Sequence, residues 1–177
     1  MKLFEKSDLN IFQELVGQPF KNIFIQPTRE ILGDDVLVVN FGKEIKYSFH
    51  TLIFTRIRNE NALLFTSSDI YFFPSFRSMS SKIIDDNNFI KKSLAKKALI
   101  NVRKVLKNAV VSDVQINEIG DIVICFNNGI IIEASIDSRQ YEYENYRLLV
   151  FGKHSCEHYV VEYYKGKLMF YLSKENF

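Results

Sequence analysis

A chain of 177 residues with 47% hydrophobic and 25% charged residues has the composition of one ordinary globular domain, residues 1–177, long enough to bury a sizeable core. Two Cys exclude a disulfide framework and point to a reducing cytoplasm, and no apolar run reaches the roughly 20 residues of a membrane span. The opening MKLFEKSDLN lacks the apolar region of a signal peptide, and the net charge of +2 hides a segregation: seven basic and no acidic residues between Lys91 and Lys107, −5 everywhere else.

Ser7 reads as the N-cap of a short helix whose buried stripe is Leu9, Phe12, Leu15 and Val16, stopped by Gly17 and Pro19. A strand follows at Phe20 to Gln26, then a loop from Pro27 to Asp35. Leu37 to Phe41 and Ile45 to Phe49 are predicted strands joined at Gly42-Lys43, with the alternation of Ile45, Tyr47 and Phe49 leaving one face exposed. Thr51 to Arg58 and Ala62 to Thr66 make a second hairpin across Asn59-Glu60-Asn61. Residues 67–90 lose periodicity and read as a crossover. An amphipathic basic helix comes next, with Leu94, Ala95, Ala98, Leu99, Val102, Val105 and Leu106 on its apolar stripe.

Strands resume at Val111 to Ile116. Ile122 to Phe126 and Ile130 to Ile132 then flank Asn127-Asn128-Gly129, the strongest hairpin signal in the chain, which predicts a type I′ turn. Both faces of the first strand of that hairpin are apolar, as expected inside a sheet. A polar segment, DSRQYEYEN, precedes strands at Tyr146–Phe151, His158–Tyr164 and Leu168–Leu172.

The two halves echo each other. A shift of 85 residues sets Leu37, Val38, Val39, Phe41 and Ile45 on Ile122, Val123, Ile124, Phe126 and Ile130. A shift of 91 sets Phe20, Ile23 and Ile25 on Val111, Val114 and Ile116, and Thr55-Arg56-Ile57 on Tyr146-Arg147-Leu148. The predicted fold is therefore α+β: two similar antiparallel β-sheet units arising by internal duplication, residues 20–66 and 111–161, linked by 67–110, which holds the crossover and the basic helix, with a short N-terminal helix in front.

Short motifs in this frame resemble a family of small uncharacterised bacterial proteins. They are Leu15 to Pro19, Thr55-Arg56, Ser67-Ser68-Asp69-Ile70-Tyr71, Gly120-Asp121-Ile122, Asn128-Gly129, Tyr146-Arg147 and His158-Tyr159-Val160-Val161, spread over residues 15–164, with Thr55 and Tyr146 where the family has Trp. The resemblance implies no enzymatic activity. By analogy with small orphan bacterial proteins of this kind, it implies an immunity partner of a secreted toxin, as in contact-dependent inhibition systems.

Candidate chemistry is sparse. His154, Cys156 and His158 would share a strand face, but with His50 as the only other His they do not complete a closed metal site, so no metal or cofactor is expected. A small hydrolase using that cluster is the weakest of the three functional readings. Arg56 and Arg147 hold equivalent positions and are expected to pair with carboxylates such as Asp69 or Asp137. Lys92, Lys96, Arg103 and Lys107 line one edge of the basic helix, the alternative nucleic-acid face, though a helix packed on a sheet must also show water a polar side. Asp137, Tyr141, Glu142, Tyr143 and Glu144 offer aromatic area beside charge, the composition of a protein-binding surface. The sequence-based expectation is a cytoplasmic, non-enzymatic protein that binds a cognate toxin domain, with no membrane contact. An acidic body outside the helix would suit a cationic nuclease.

Overall fold

The computed structural model describes residues 2–3, 5, 8, 10–26, 36–52, 54–70, 94–136 and 144–177. In chain order the elements are β1 (Lys2–Leu3), α1 (Asn10–Gln13), β2 (Phe20–Gln26), β3 (Val36–Phe41), β4 (Tyr47–Thr51), β5 (Phe54–Arg58), β6 (Leu63–Thr66), a 3-10 turn (Ser67–Ile70), α2 (Leu94–Val105), β7 (Val111–Ile116), β8 (Ile122–Phe126), β9 (Ile131–Ser135), β10 (Glu144–Phe151), β11 (Ser155–Tyr164) and β12 (Lys167–Asn176). They form two antiparallel sheets, one ordered β1-β12-β11-β10-β4-β3-β2 and the other β6-β5-β9-β8-β7. No helix among the described residues is long and apolar enough to cross a membrane.

The sheets are not the two halves. Each half lays a three-stranded meander in one sheet, β2-β3-β4 or β7-β8-β9, and sends its next two strands to the other. Consequently β4 pairs with β10 and β9 pairs with β5, strands from opposite halves. This exchange covers an edge of each meander that separate units would leave open.

Local details repeat between the halves. The β2–β3 ladder shifts register between Phe20 and Asn22, and the β7–β8 ladder shifts at the equivalent Val111 and Asp113. The turn after α1 ends on Gly17 at φ +83°, and the turn after α2 ends on Asn108 at φ +66°, left-handed residues that stop each helix. Just beyond, Phe20 N–H donates to the Ala109 carbonyl at 2.8 Å and Val111 N–H donates to the Gln18 carbonyl at 3.0 Å, a reciprocal pair that ties the two meanders together.

One core runs between the sheets, from Phe12 in α1 and Leu15 just after it through Ile23, Phe41, Phe49, Ile57, Ile124 and Tyr146 to Phe170. The helix α2 rests on β6, the 3-10 turn and β2, closing one open side of the sandwich with Ala95, Leu99 and Val102.

Three sequence expectations change. Ile45 lies in a turn and is 42% exposed, whereas Tyr47 and Phe49 are both buried, because this turn is longer than its counterpart and Tyr47 takes the place opposite Phe41. The Asn127-Asn128-Gly129 turn is not type I′, since Gly129 alone of the three has positive φ. Gly129 N–H donates to Phe126 O at 3.0 Å and Phe126 N–H to Ile130 O at 2.9 Å, a three-residue loop closed by a left-handed glycine. The asparagines serve as ties, Asn128 Nδ2 to the Val105 carbonyl at the end of α2 (2.6 Å) and Asn127 Oδ1 to Val110 N–H (3.1 Å). Positive φ at two successive residues occurs instead at Lys165-Gly166, between β11 and β12. Third, β8 is buried on one face only, with Val123 and Cys125 half-buried on the outer face.

Candidate functional site

Strand alternation places Arg56 and Arg58 on the outer face of the five-stranded sheet, and the β5–β9 register puts Glu133 directly opposite Arg56. One carboxylate thereby holds two guanidinium groups. Arg56 donates from Nε to Glu133 Oε2, and Arg58 donates from Nε and Nη2 to Oε1 at 3.0 and 2.6 Å. Glu133 is 9% exposed, and the Arg58 hydrogen bonds, with help from Arg56, hold its carboxyl below the usual range despite that burial. The same carboxylate raises the Arg58 pKa. Both arginine side chains remain open to solvent, 49% exposed at Arg56 and 39% at Arg58.

Beside this fork lies a shallow groove of about 360 Å³, lined by Arg56, Gln115, Asn117, Asp121, Glu133 and Ser135. Its far wall is rigid: Asn117 Oδ1 accepts from Asp121 N–H at 2.9 Å and from Ile119 N–H at 3.1 Å, and Asp121 Oδ1 accepts from Ile136 N–H at 2.8 Å. Ile136 immediately precedes the stretch expected to bind a partner. Of that stretch, Asp137, Tyr141, Glu142 and Tyr143 lie outside the described residues. Glu144 opens β10 and accepts from Arg147 Nε and Nη2, so its carboxylate is committed to its own chain.

Both equivalent arginines pair with a carboxylate among the described residues, Arg56 with Glu133 and Arg147 with Glu144. Asp69 instead accepts from Thr66 N–H at 2.8 Å, capping the end of β6, and Asp137 lies outside the described residues. The basic helix also differs from a phosphate-tracking stripe. Lys96 and Lys107 are exposed and Lys92 lies outside the described residues, but Arg103 turns back and donates from Nε to the Ile23 carbonyl of β2 at 2.8 Å. That contact satisfies a backbone acceptor on an edge strand.

The histidines do not converge with the cysteines. Cys156 is buried in β11, His154 is exposed in the turn before it, and His158 approaches Glu175 at 3.6 Å; no group of three metal-type ligands forms among the described residues. Burial raises both thiol pKa values, with Asp113 adding at Cys125 and Glu175 at Cys156. His50 shares a 2.9 Å hydrogen bond with Ser48 on the outer face of the seven-stranded sheet. Burial first, then the Arg147 and His158 charges, lower its pKa to about 4. Ser48 is only 3% exposed and lies flat in a mid-sheet strand, the setting of a structural hydroxyl.

No protein-family model, no curated protein and no solved structure matches this chain. The functional reading therefore rests on its own geometry.

Sequence reasoning missed Arg58 and Glu133. The signal was present: Arg56-x-Arg58 has the spacing that puts both on one strand face, and Glu133 interrupts the apolar run Ile130-Ile131-Ile132. An acid inside such a run needs a buried cationic partner or an edge of the sheet that meets water.

Proposed function

We propose that this chain is a non-enzymatic, cytoplasmic protein-binding protein of bacterial type, an immunity protein that neutralises a cognate toxin domain. The observation that carries this reading is the outer face of the five-stranded sheet. It combines half-exposed, carboxylate-oriented arginines with a groove of mixed polar and apolar lining, Asn117, Asp121 and Ser135 beside Ile116, Ile122 and Val123. The Asp121 wall holds Ile136, which in sequence precedes the segment 137–144 with Tyr141 and Tyr143. Arginine and tyrosine anchors beside fixed polar groups are the chemistry of protein interfaces. The charge of −5 outside residues 91–107 favours a cationic partner such as a nuclease, by steering its approach.

The repeated bulge, the repeated helix stop and the repeated meander-then-hairpin order support an origin by internal duplication, with the two units fused into one domain through strand exchange.

The test is capture from extracts of the native cells, with and without nuclease treatment. A stoichiometric protein that survives nuclease treatment is the expected result. Retention of nucleic acid alone, released steeply by salt, would move the assignment to the helix face of Lys96 and Lys107.

A further inference from the structure

We infer that Arg56 is the anchor for a carboxylate presented by the protein partner, with Arg58 and Glu133 holding it in place; the inference rests on the protein-binding reading above. The two halves differ at this arginine. Arg147, the counterpart of Arg56, has its Nε and one Nη engaged by both oxygens of Glu144, three residues upstream in its own chain. The residue three positions before Arg56 is Ile53, so the sequence supplies no such acid there. Arg56 donates to Glu133 through Nε, and its two Nη groups make no hydrogen bond with any described residue.

Glu133 is shared between two guanidinium groups, which leaves the fork itself with one positive charge in excess, while the Asp121 carboxylate across the groove is taken up by Ile136 N–H and Asn117 Nδ2. A planar guanidinium already fixed through Nε loses little freedom when a second acceptor arrives, and its remaining N–H groups match the spacing of carboxylate oxygens. The groove places Gln115 and Ser135 beside the fork for the polar backbone that would carry such an acid, the Asn117 amide being taken up by the Asp121 turn. A carboxylate is also the group that the other half uses to complete the same arginine. In a body that is acidic outside its helix, a cationic fork would set the register of a partner more than the overall attraction.

The test is an NMR titration of the full chain, following arginine side-chain Nε signals. The probes are acetyl-Glu-Glu-Glu-Glu-amide, its all-Gln counterpart and an oligothymidylate. Arg56 and Arg58 signals should shift saturably with the Glu peptide and not with the Gln peptide. Arg56→Lys keeps the charge and a contact to Glu133, so the fold persists, yet affinity for the Glu peptide should fall about fivefold or more because an ammonium cannot make the two-point contact. Equal affinity in Arg56→Lys, equal shifts with the Gln peptide, or tighter binding of the oligothymidylate at the fork would each overturn the inference. The two failures are distinguishable. A captured protein partner held equally by wild type and Arg56→Lys sinks the carboxylate anchor and leaves protein binding standing. A fork that takes the Glu peptide in a chain that retains no protein sinks the protein-binding reading.

Discussion

Phe41 and Phe126 stack in the core with ring centroids 6.3 Å apart and planes inclined by 18°. They end the same strand of their respective halves, Phe41 paired with Phe20 and Phe126 with Val111. The contact therefore joins equivalent residues across the junction of the two halves, with Phe20 set edge-on to Phe126 at 6.3 Å. Truncating Phe126 to Ala should cost about 3–5 kcal/mol, since both the buried area and the ring pair are lost. Urea unfolding followed by circular dichroism measures this, and a loss under about 1 kcal/mol would show that the junction is not a core element.

Tyr146 should matter through its hydroxyl. That group donates to the Gly120 carbonyl at 2.8 Å in a fully buried setting, where burial also pushes the phenol pKa well above its ordinary value. Tyr146→Phe leaves the carbonyl unpaired and should cost about 1–2 kcal/mol. Gly120→Ala should cost a similar amount, about 1–2 kcal/mol, through the strain of an L side chain at φ +91°, since the Ile136 Cδ1 and Leu168 Cδ2 atoms that the Cβ would meet are side-chain ends able to shift; urea unfolding of both variants measures this.

His50 predicts an acid sensitivity with a definite sign. Its folded pKa of about 4 lies below the unfolded value of 6.5, so the unfolded chain binds the proton more readily. Stability from this group is complete above about pH 6.5 and declines as the pH falls towards 4, by about 2 kcal/mol at pH 5. The groups facing it are Ser48 on its own strand, Arg147 on β10 and His158 on β11, the last within reach of Glu175. His50→Gln should flatten the stability profile between pH 7 and 5, measured by denaturant unfolding at each pH. An unchanged slope would remove His50 as the cause.

On the basic helix, exposed lysines and the turned arginine should behave differently. Lys96→Glu with Lys107→Glu should leave stability within about 0.5 kcal/mol of wild type. Arg103→Ala should cost about 1 kcal/mol, because the Ile23 carbonyl loses its 2.8 Å donor. Equal effects of the two changes would contradict the separation of roles.

Much of the strand order was legible in the sequence, because Phe20, Ile23 and Ile25, and again Val111, Val114 and Ile116, repeat one apolar signature. The exchange between sheets was not, since the β4–β10 and β5–β9 pairings join strands whose local patterns are equally compatible with pairing inside each half. Turn chemistry misled at Asn128, whose side chain is spent on the end of α2 and whose backbone stays in the ordinary φ region. The Arg56–Glu133 pair spans 77 residues and appears only once β5 and β9 lie side by side.

The central claim is that a protein partner docks on the outer face of the five-stranded sheet. Hydrogen–deuterium exchange of the captured complex against the free chain tests it most directly. Added protection should concentrate on β5 and β9 and on the Asn117–Asp121 turn that walls the groove. Protection centred instead on residues 94–107, or none on the five-stranded sheet, would contradict it.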